Sequence, residues 1–170
     1  LLKNAHACGG WHVRAASEAR HGPLPPGAYF QRKVDGVPMS ALFLADGHDA
    51  VLLGVARQMV RPLGRRRLVF QGGLGPAALP EHVIVELQAF AARISAAMGL
   101  VGLNGLDFMQ DGDAPSVIEL NARPTAAINL FADALAEGLV KAHVATSQGA
   151  RLSCFTTQPT RPRGFEVVFA

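Results

Sequence analysis

Cysteine is scarce in this 170-residue chain, with only Cys8 and Cys154 present. Two cysteines are too few for a disulfide framework and do not fix the compartment. Long apolar runs are also missing: none approaches the ~20 residues a membrane-spanning helix needs. The opening Leu1-Leu2-Lys3-Asn4 has neither the basic start nor the long apolar stretch of a signal peptide. Cytoplasm is the default expectation. No Gly-x-Ser-x-Gly elbow and no recognisable cysteine-nucleophile motif occurs, so covalent hydrolase chemistry has no support. The histidines number 6, and no pair has the helical spacing of metal ligands, which argues against structural zinc. The Gly-Lys-Ser/Thr phosphate loop is absent. So are internal repeats and low-complexity tracts.

Apolar residues make up 49% of the chain, enough for a sizeable core in one domain or two small subdomains. The net charge is only +3, and much of the basic excess sits in Arg61 and Arg65-Arg66-Arg67. A basic cluster can hold nucleic acid. This one lacks interleaved aromatics and any nucleic-acid motif, so a solvated loop is expected, with phosphate or carboxylate binding next. Both ends read as cut. Methionine does not begin the chain, and Gly164–Ala170 reads as a strand without a polar tail. The expectation is a fragment of a longer protein.

Along the chain, residues 1–14 read as a strand, a Gly9-Gly10 turn and a second strand through Trp11–Arg14. Gly22-Pro-Leu-Pro-Pro-Gly27 marks a linker or hinge. Strands are expected over Ala28–Val34, Ser40–Ala45 and Ala50–Val55, with turns at Asp35-Gly36 and Asp46-Gly47. Gln71–Pro76 reads as a loop. Val83, Leu87, Phe90, Ala91, Ile94 and Met98 recur at helical spacing between Pro80-Glu81 and Gly99. Pro124 and Thr125 open a second expected helix with the stripe Ala127, Leu130, Phe131 and Leu135, read as core. Residues 141–163 read ambiguously, with Ser, Thr, Gln and Pro pointing to loops. Antiparallel strands mixed with helices predict an α+β fold.

The most informative stretch runs from Asn104 to Arg123. Two apolar-alternating runs, Asn104–Met109 and Val117–Arg123, flank a polar Asp-Gly stretch, which is a hairpin signal. Folding it near position 113 places Asp107 opposite Glu119 and Met109 opposite Val117. Leu106, Phe108, Ile118 and Leu120 then share the core face. Asp107, Glu119 and Asn121 crowd together on the other. Opposed carboxylates repel, and a hard divalent cation such as Mg²⁺ would relieve them. The same spacing also fits a hairpin with a wet, charged face. Arg123 shares the face and suits a phosphate oxygen, a substrate carboxylate or an ion pair with Glu119. Lys3, Gly9 and Gly10 could bring a charge and backbone N–H groups to a phosphate, or form a plain glycine turn. His12 reads as an ordinary strand side chain.

In this order, Leu1-Leu-Lys3 with Cys8-Gly9-Gly10, Tyr29–Gly36, Gly105-Leu-Asp107-Phe and Ile118-Glu119-Leu-Asn121-Ala-Arg123-Pro resemble the ATP-grasp superfamily. The closest look is to predicted carboligases related to biotin carboxylase. A narrower similarity is to ATP-grasp proteins found beside tetrahydromethanopterin-linked one-carbon enzymes. The resemblance implies an antiparallel sheet with flanking helices and a small strand–loop–strand lid. Residues 1–27 would be a remnant of the lid and hinge, and residues 28–170 the C-terminal subdomain. Other ATP-binding elements would lie upstream.

The resemblance further implies ATP and Mg²⁺, with Mn²⁺ as an alternative. Asp107, Glu119 and Asn121 would hold the metal. Lys3, Gly9 and Gly10 would approach the phosphates, and Gln31, Arg32 and Val34 the adenine. Lys3 and Arg123 would stabilise charge during reaction. The implied enzyme is a ligase that joins a small carboxylate to an amine through an acylphosphate, in the full-length protein rather than this fragment. Two departures stand out: Asn121-Ala122-Arg123 where many relatives have Asn-Pro-Arg, and Gln31 where Glu is frequent. The rival readings are a nucleotide-binding regulatory module without turnover and a basic RNA-binding domain. No membrane partner is expected, and exposed strand edges predict self-association.

Overall fold

The computed structural model describes residues 1–18 and 23–169. Gly22, the start of the expected linker, lies outside them. A six-stranded, wholly antiparallel sheet organises the chain. Its strands are β3 (Val37–Asp46), β4 (Ala50–Leu63), β5 (Arg66–Gly75), β6 (Val101–Asp111), β7 (Ala114–Asn121) and β8 (Arg163–Glu166), in the order β7-β6-β3-β4-β5-β8. A separate two-stranded sheet joins β1 (Leu2–Asn4) to β2 (Ala28–Phe30), with Lys3 opposite Tyr29. The α-helices are α1 (Glu81–Met98) and α2 (Leu139–Ser147). The fold is therefore α+β.

Strand β3 is the centre of the molecule, buried on both faces. Met39, Ala41, Phe43 and Ala45 join a cluster with Val83, Leu87 and Ala91 of α1. Leu42 and Leu44 point the other way, into a cluster with Leu130, Phe131, Leu139 and Ala142. That split follows from the two-residue period of a strand. Helix α1 forms where its apolar stripe predicts. Glu81 sits in its first turn, and Gly99 closes it at φ 62°, donating its N–H to Ser95 O. Only the end of the stripe departs, since Met98 is exposed. Leu87 is fully buried, and its truncation to alanine would cost about 2–5 kcal/mol.

Several local expectations need correction. Residues 11–14 form no strand; Arg14 makes only an isolated bridge to Leu2. Ala28–Val34 is strand only through Phe30. Gln71–Gly75 is not a loop but the end of β5. Its glycines are seats for neighbours: Gly73 lies under Leu130, and Gly75 under Phe131. Arg66 and Arg67 begin β5, so the arginine cluster spans a hairpin tip. The stripe at 127–135 is core, as read, yet only Ala126–Asn129 is helical, as a short 3₁₀ turn. The second α-helix is α2, which starts at Leu139 and runs into the region whose pattern is ambiguous. Asp46 ties the later segment down, accepting from Leu152 N and pairing with Arg151 at 3.2 Å. Among the described residues, no helix is long and apolar enough to cross a membrane.

Candidate functional site

Hairpin β6–β7 places Asp107 directly opposite Glu119, with Gly105 opposite Asn121. Beyond Asp107 the register shifts. Phe108 pairs with Val117, and Met109 with Ser116. The expected Met109–Val117 pair is thus replaced. Ile118 is the extra residue of a β-bulge, and Val117, rather than Ile118, packs against the α1 cluster.

Asp107 is largely buried and sits in a hydrogen-bond network. Its Oδ1 accepts from Gln58 Nε2 at 2.7 Å, and its Oδ2 from Asn121 Nδ2 at 3.4 Å. Burial, then the charge of Glu119, push its carboxyl up to about 6, against the help of Asn121, Gln58 and Lys3. Lys3, on β1, is thus near enough for its charge to be felt. Asn121 is buried, and its Oδ1 accepts from Arg123 Nη2 at 3.1 Å. Arg123 lies just beyond β7, where Nη1 also donates to Pro124 O. Among the described residues it forms no ion pair with Glu119. Gly105 admits Thr125 closely: an added Cβ would lie 2.7 Å from Thr125 Cγ2.

The glycine turn lies on another element. Gly9 and Gly10 have φ of 64° and 76°. A side chain on Gly10 would run into the Leu68 carbonyl of β5, so close packing requires glycine there. The turn's carbonyls are all engaged. Cys8 O accepts from Trp11 N, Gly9 O from Phe70 N at 3.0 Å, and Gly10 O from Val13 N. Among the described residues, the N–H groups of Cys8, Gly9 and Gly10 have no protein acceptor.

Gln31 joins the two sheets. Its backbone exchanges hydrogen bonds with Leu1, and its Nε2 donates to Ile118 O of the bulge at 3.0 Å. Arg32 is exposed and Val34 half-buried; neither has a backbone partner among the described residues. The structure thus brings Asp107, Glu119, Asn121 and Arg123 together, with Lys3 in electrostatic range. It sets the Gly9-Gly10 turn against β5 and Gln31 against β7. Gln58 is the residue that sequence reasoning missed. Its only signal was a polar pair, Arg57-Gln58, within the otherwise apolar stretch Val55–Val60.

The sequence pattern of the ATP-grasp domain matches residues 1–127. The chain belongs to the ATP-grasp family. A solved protein assigned to the ATP-grasp superfamily, from Archaeoglobus fulgidus, is 25% identical, with TM-score 0.58 over 82% of this ATP-grasp chain and 42% of its own. N5-carboxyaminoimidazole ribonucleotide synthetase from Thermus thermophilus is 18% identical, with TM-score 0.66 over 81% of this chain and 37% of its own. The biotin carboxylase domain of a single-chain bacterial carboxylase is 19% identical, with TM-score 0.59 over 75% and 30%. The ATP-grasp chain thus spans less than half the length of these structures. No curated protein matches it in sequence.

Proposed function

We propose that this chain supplies the metal and phosphate side of an ATP-dependent ligase site, in a protein that joins a small carboxylate to an amine. The observation that carries the reading is Asp107 held opposite Glu119, its carboxyl raised to about 6 by burial and by that neighbouring charge. A largely buried carboxylate facing an exposed one, with an amide beside them, suits Mg²⁺, or Mn²⁺, which takes oxygen ligands and shares them with phosphates. Asp107, Glu119 and Asn121 are the residues that would hold it. Among the described residues, no third acidic, histidine or cysteine side chain completes a cluster, so substrate oxygens and water would fill the remaining positions. When bound, the cation would offset charge on the phosphate oxygens.

The chain's own groups have separable roles. Lys3 provides a positive charge near Asp107 for the terminal phosphate. The unpaired N–H groups of Cys8, Gly9 and Gly10 form a cradle for phosphate oxygens. The backbone of Arg32 and Val34, without partners among the described residues, suits the adenine edge beside Gln31. Arg123 orients Asn121 through Oδ1 and keeps donors for a carboxylate or phosphoryl oxygen. The reaction moves the γ-phosphoryl group to the substrate carboxylate, giving an acylphosphate and ADP. The amine then attacks the acyl carbon, and inorganic phosphate leaves. Residues 1–27 act as lid and hinge, although β1 pairs with β2 just past that boundary.

One observation favours the regulatory alternative. Asn121 Oδ1 is held by Arg123, and its Nδ2 faces Asp107, so the amide is fully engaged without a cation. The RNA-binding alternative loses ground. Arg61 pairs with Glu166 at the surface and Arg66 with Trp11, so half of the arginine cluster already has partners within the chain. The deciding assay is phosphate release from ATP by full-length protein, with Mg²⁺ and a panel of carboxylates and amines. Carboxylate-dependent release that falls at least about 100-fold in Asp107→Asn and Glu119→Gln supports the ligase. ATP binding without release for any carboxylate would leave the regulatory module standing instead.

A further inference from the structure

The glycine turn is held in place by a latch that a phosphate cradle alone does not require. Trp11, one residue past the glycines, is the chain's single tryptophan. The Arg66 guanidinium lies over its ring, 4.6 Å from the centroid, and donates to its backbone carbonyl. Phe169, near the other end of the chain, meets the same ring edge-on at 5.1 Å. Phe70 N donates to Gly9 O, and Gly10 lies flat on the Leu68 carbonyl. Leu68 and Phe70 are two apart on β5, so their backbone groups point out of the same edge of the strand, and that edge receives the turn.

We infer that Arg66 and Trp11 are positioning residues for nucleotide phosphates. They act through the glycine turn and touch no nucleotide atom themselves. The physical chain is short. Arg66 grips Trp11 by ring face and by carbonyl, a two-point hold that suits a planar guanidinium with fixed donors better than a compact ammonium. Trp11 N in turn holds Cys8 O, and Phe70 holds Gly9 O. With those carbonyls turned to protein, the N–H groups of Cys8, Gly9 and Gly10 are left as the turn's unused donors. Losing the latch frees the turn to rotate its carbonyls outward, which repels a phosphate. Arg67, the next residue, is exposed and makes no such contact, so it is the internal control.

This inference rests on the nucleotide reading above, and the test separates the two. Equilibrium binding of ATP and of AMP to the full-length protein is compared across Arg66→Ala, Arg66→Lys, Trp11→Phe and Arg67→Ala. Wild type should prefer ATP, because the turn touches only the outer phosphates. Arg66→Ala should weaken ATP about tenfold and AMP hardly at all, by losing a stacked, hydrogen-bonded cation. Arg66→Lys should fall between, and Trp11→Phe should retain most of the preference because a ring face remains. Arg67→Ala should match wild type. Equal weakening of ATP and AMP in Arg66→Ala would show a general structural role and overturn the inference. So would an unchanged ATP preference in Arg66→Ala. Failure of the wild type to bind ATP would overturn the nucleotide reading itself, and the latch with it.

Discussion

Gln58, on β4, reaches across the whole of β3 to donate its side-chain amide to Asp107 Oδ1 on β6, at 2.7 Å. The bond crosses the most buried strand of the sheet, so both ends are held by packed backbone. It favours the ionised carboxyl, which burial and Glu119 oppose. Gln58→Leu should therefore move the Asp107 titration above about 6. Carboxyl chemical shifts followed against pH, in cation-free protein, read this directly. A titration that stays put would show that the amide adds nothing to the balance.

The raised carboxyl also makes a stability prediction. Asp107 holds its proton more tightly folded, at about 6, than at the ordinary 3.8. Its contribution is thus complete below the lower value, is lost as pH rises through the window between them, and is flat above. The loss amounts to as much as about 3 kcal/mol. The difference in unfolding free energy between wild type and Asp107→Asn, measured in chelator from about pH 4 to about pH 7, should carry that slope. Excess Mg²⁺ should flatten it, if the cation binds the ionised pair.

A tight joint fastens α2 to the sheet. Leu103 N donates to His143 Nδ1 at 3.0 Å, and the imidazole covers the bare Cα of Gly102, whose φ is 73°. Gly102→Ala should cost about 1–2 kcal/mol for its backbone and about 1–3 more for the clash. In a His143→Ala background only the backbone cost should remain. Urea unfolding of the two single variants and the double variant measures the coupling. Strict additivity would disprove the contact.

Phe131 sits in a seat made by absent side chains. A Cβ on Gly54 would enter its ring, and one on Gly75 would lie 3.2 Å from its tip. Gly54→Ala should destabilise the fold by about 1–3 kcal/mol or more, because the ring is fully buried and has no room to retreat. Thermal unfolding tests this, and Phe131→Leu in the same chain should recover part of the loss.

That seat explains where sequence reading succeeds and where it stops. Helix α1 was legible because its stripe, its start and its Gly99 stop all agree. Asp107 opposite Glu119 was legible because a polar turn fixes register locally. The stripe around Phe131 was legible as core but not as shape: glycines on β4 and β5, far away in sequence, decide how the segment lies. The same glycines made Gln71–Gly75 look like a loop, since glycine weakens a strand that nothing covers. Helix α2 was missed because Gly138 starts it without a capping side chain and its outer face carries Val140 and Val144. Gln58 had no local signature, because its partner lies two strands away.

The bulge at Ile118 bears on how this hairpin tolerates change over evolutionary time. Val117 and Glu119 are two apart, so a regular strand would send them to the same side. The extra residue lets Val117 enter the α1 core while Glu119 keeps company with Asp107. A descendant that deleted this one residue would keep both placements, because the remaining pairs would simply close up. It would lose the carbonyl that Gln31 grips. Aligned against such a sequence, the gap would fall beside the acidic residue, in the place where a gap looks most damaging and, by this geometry, leaves the carboxylate pair intact.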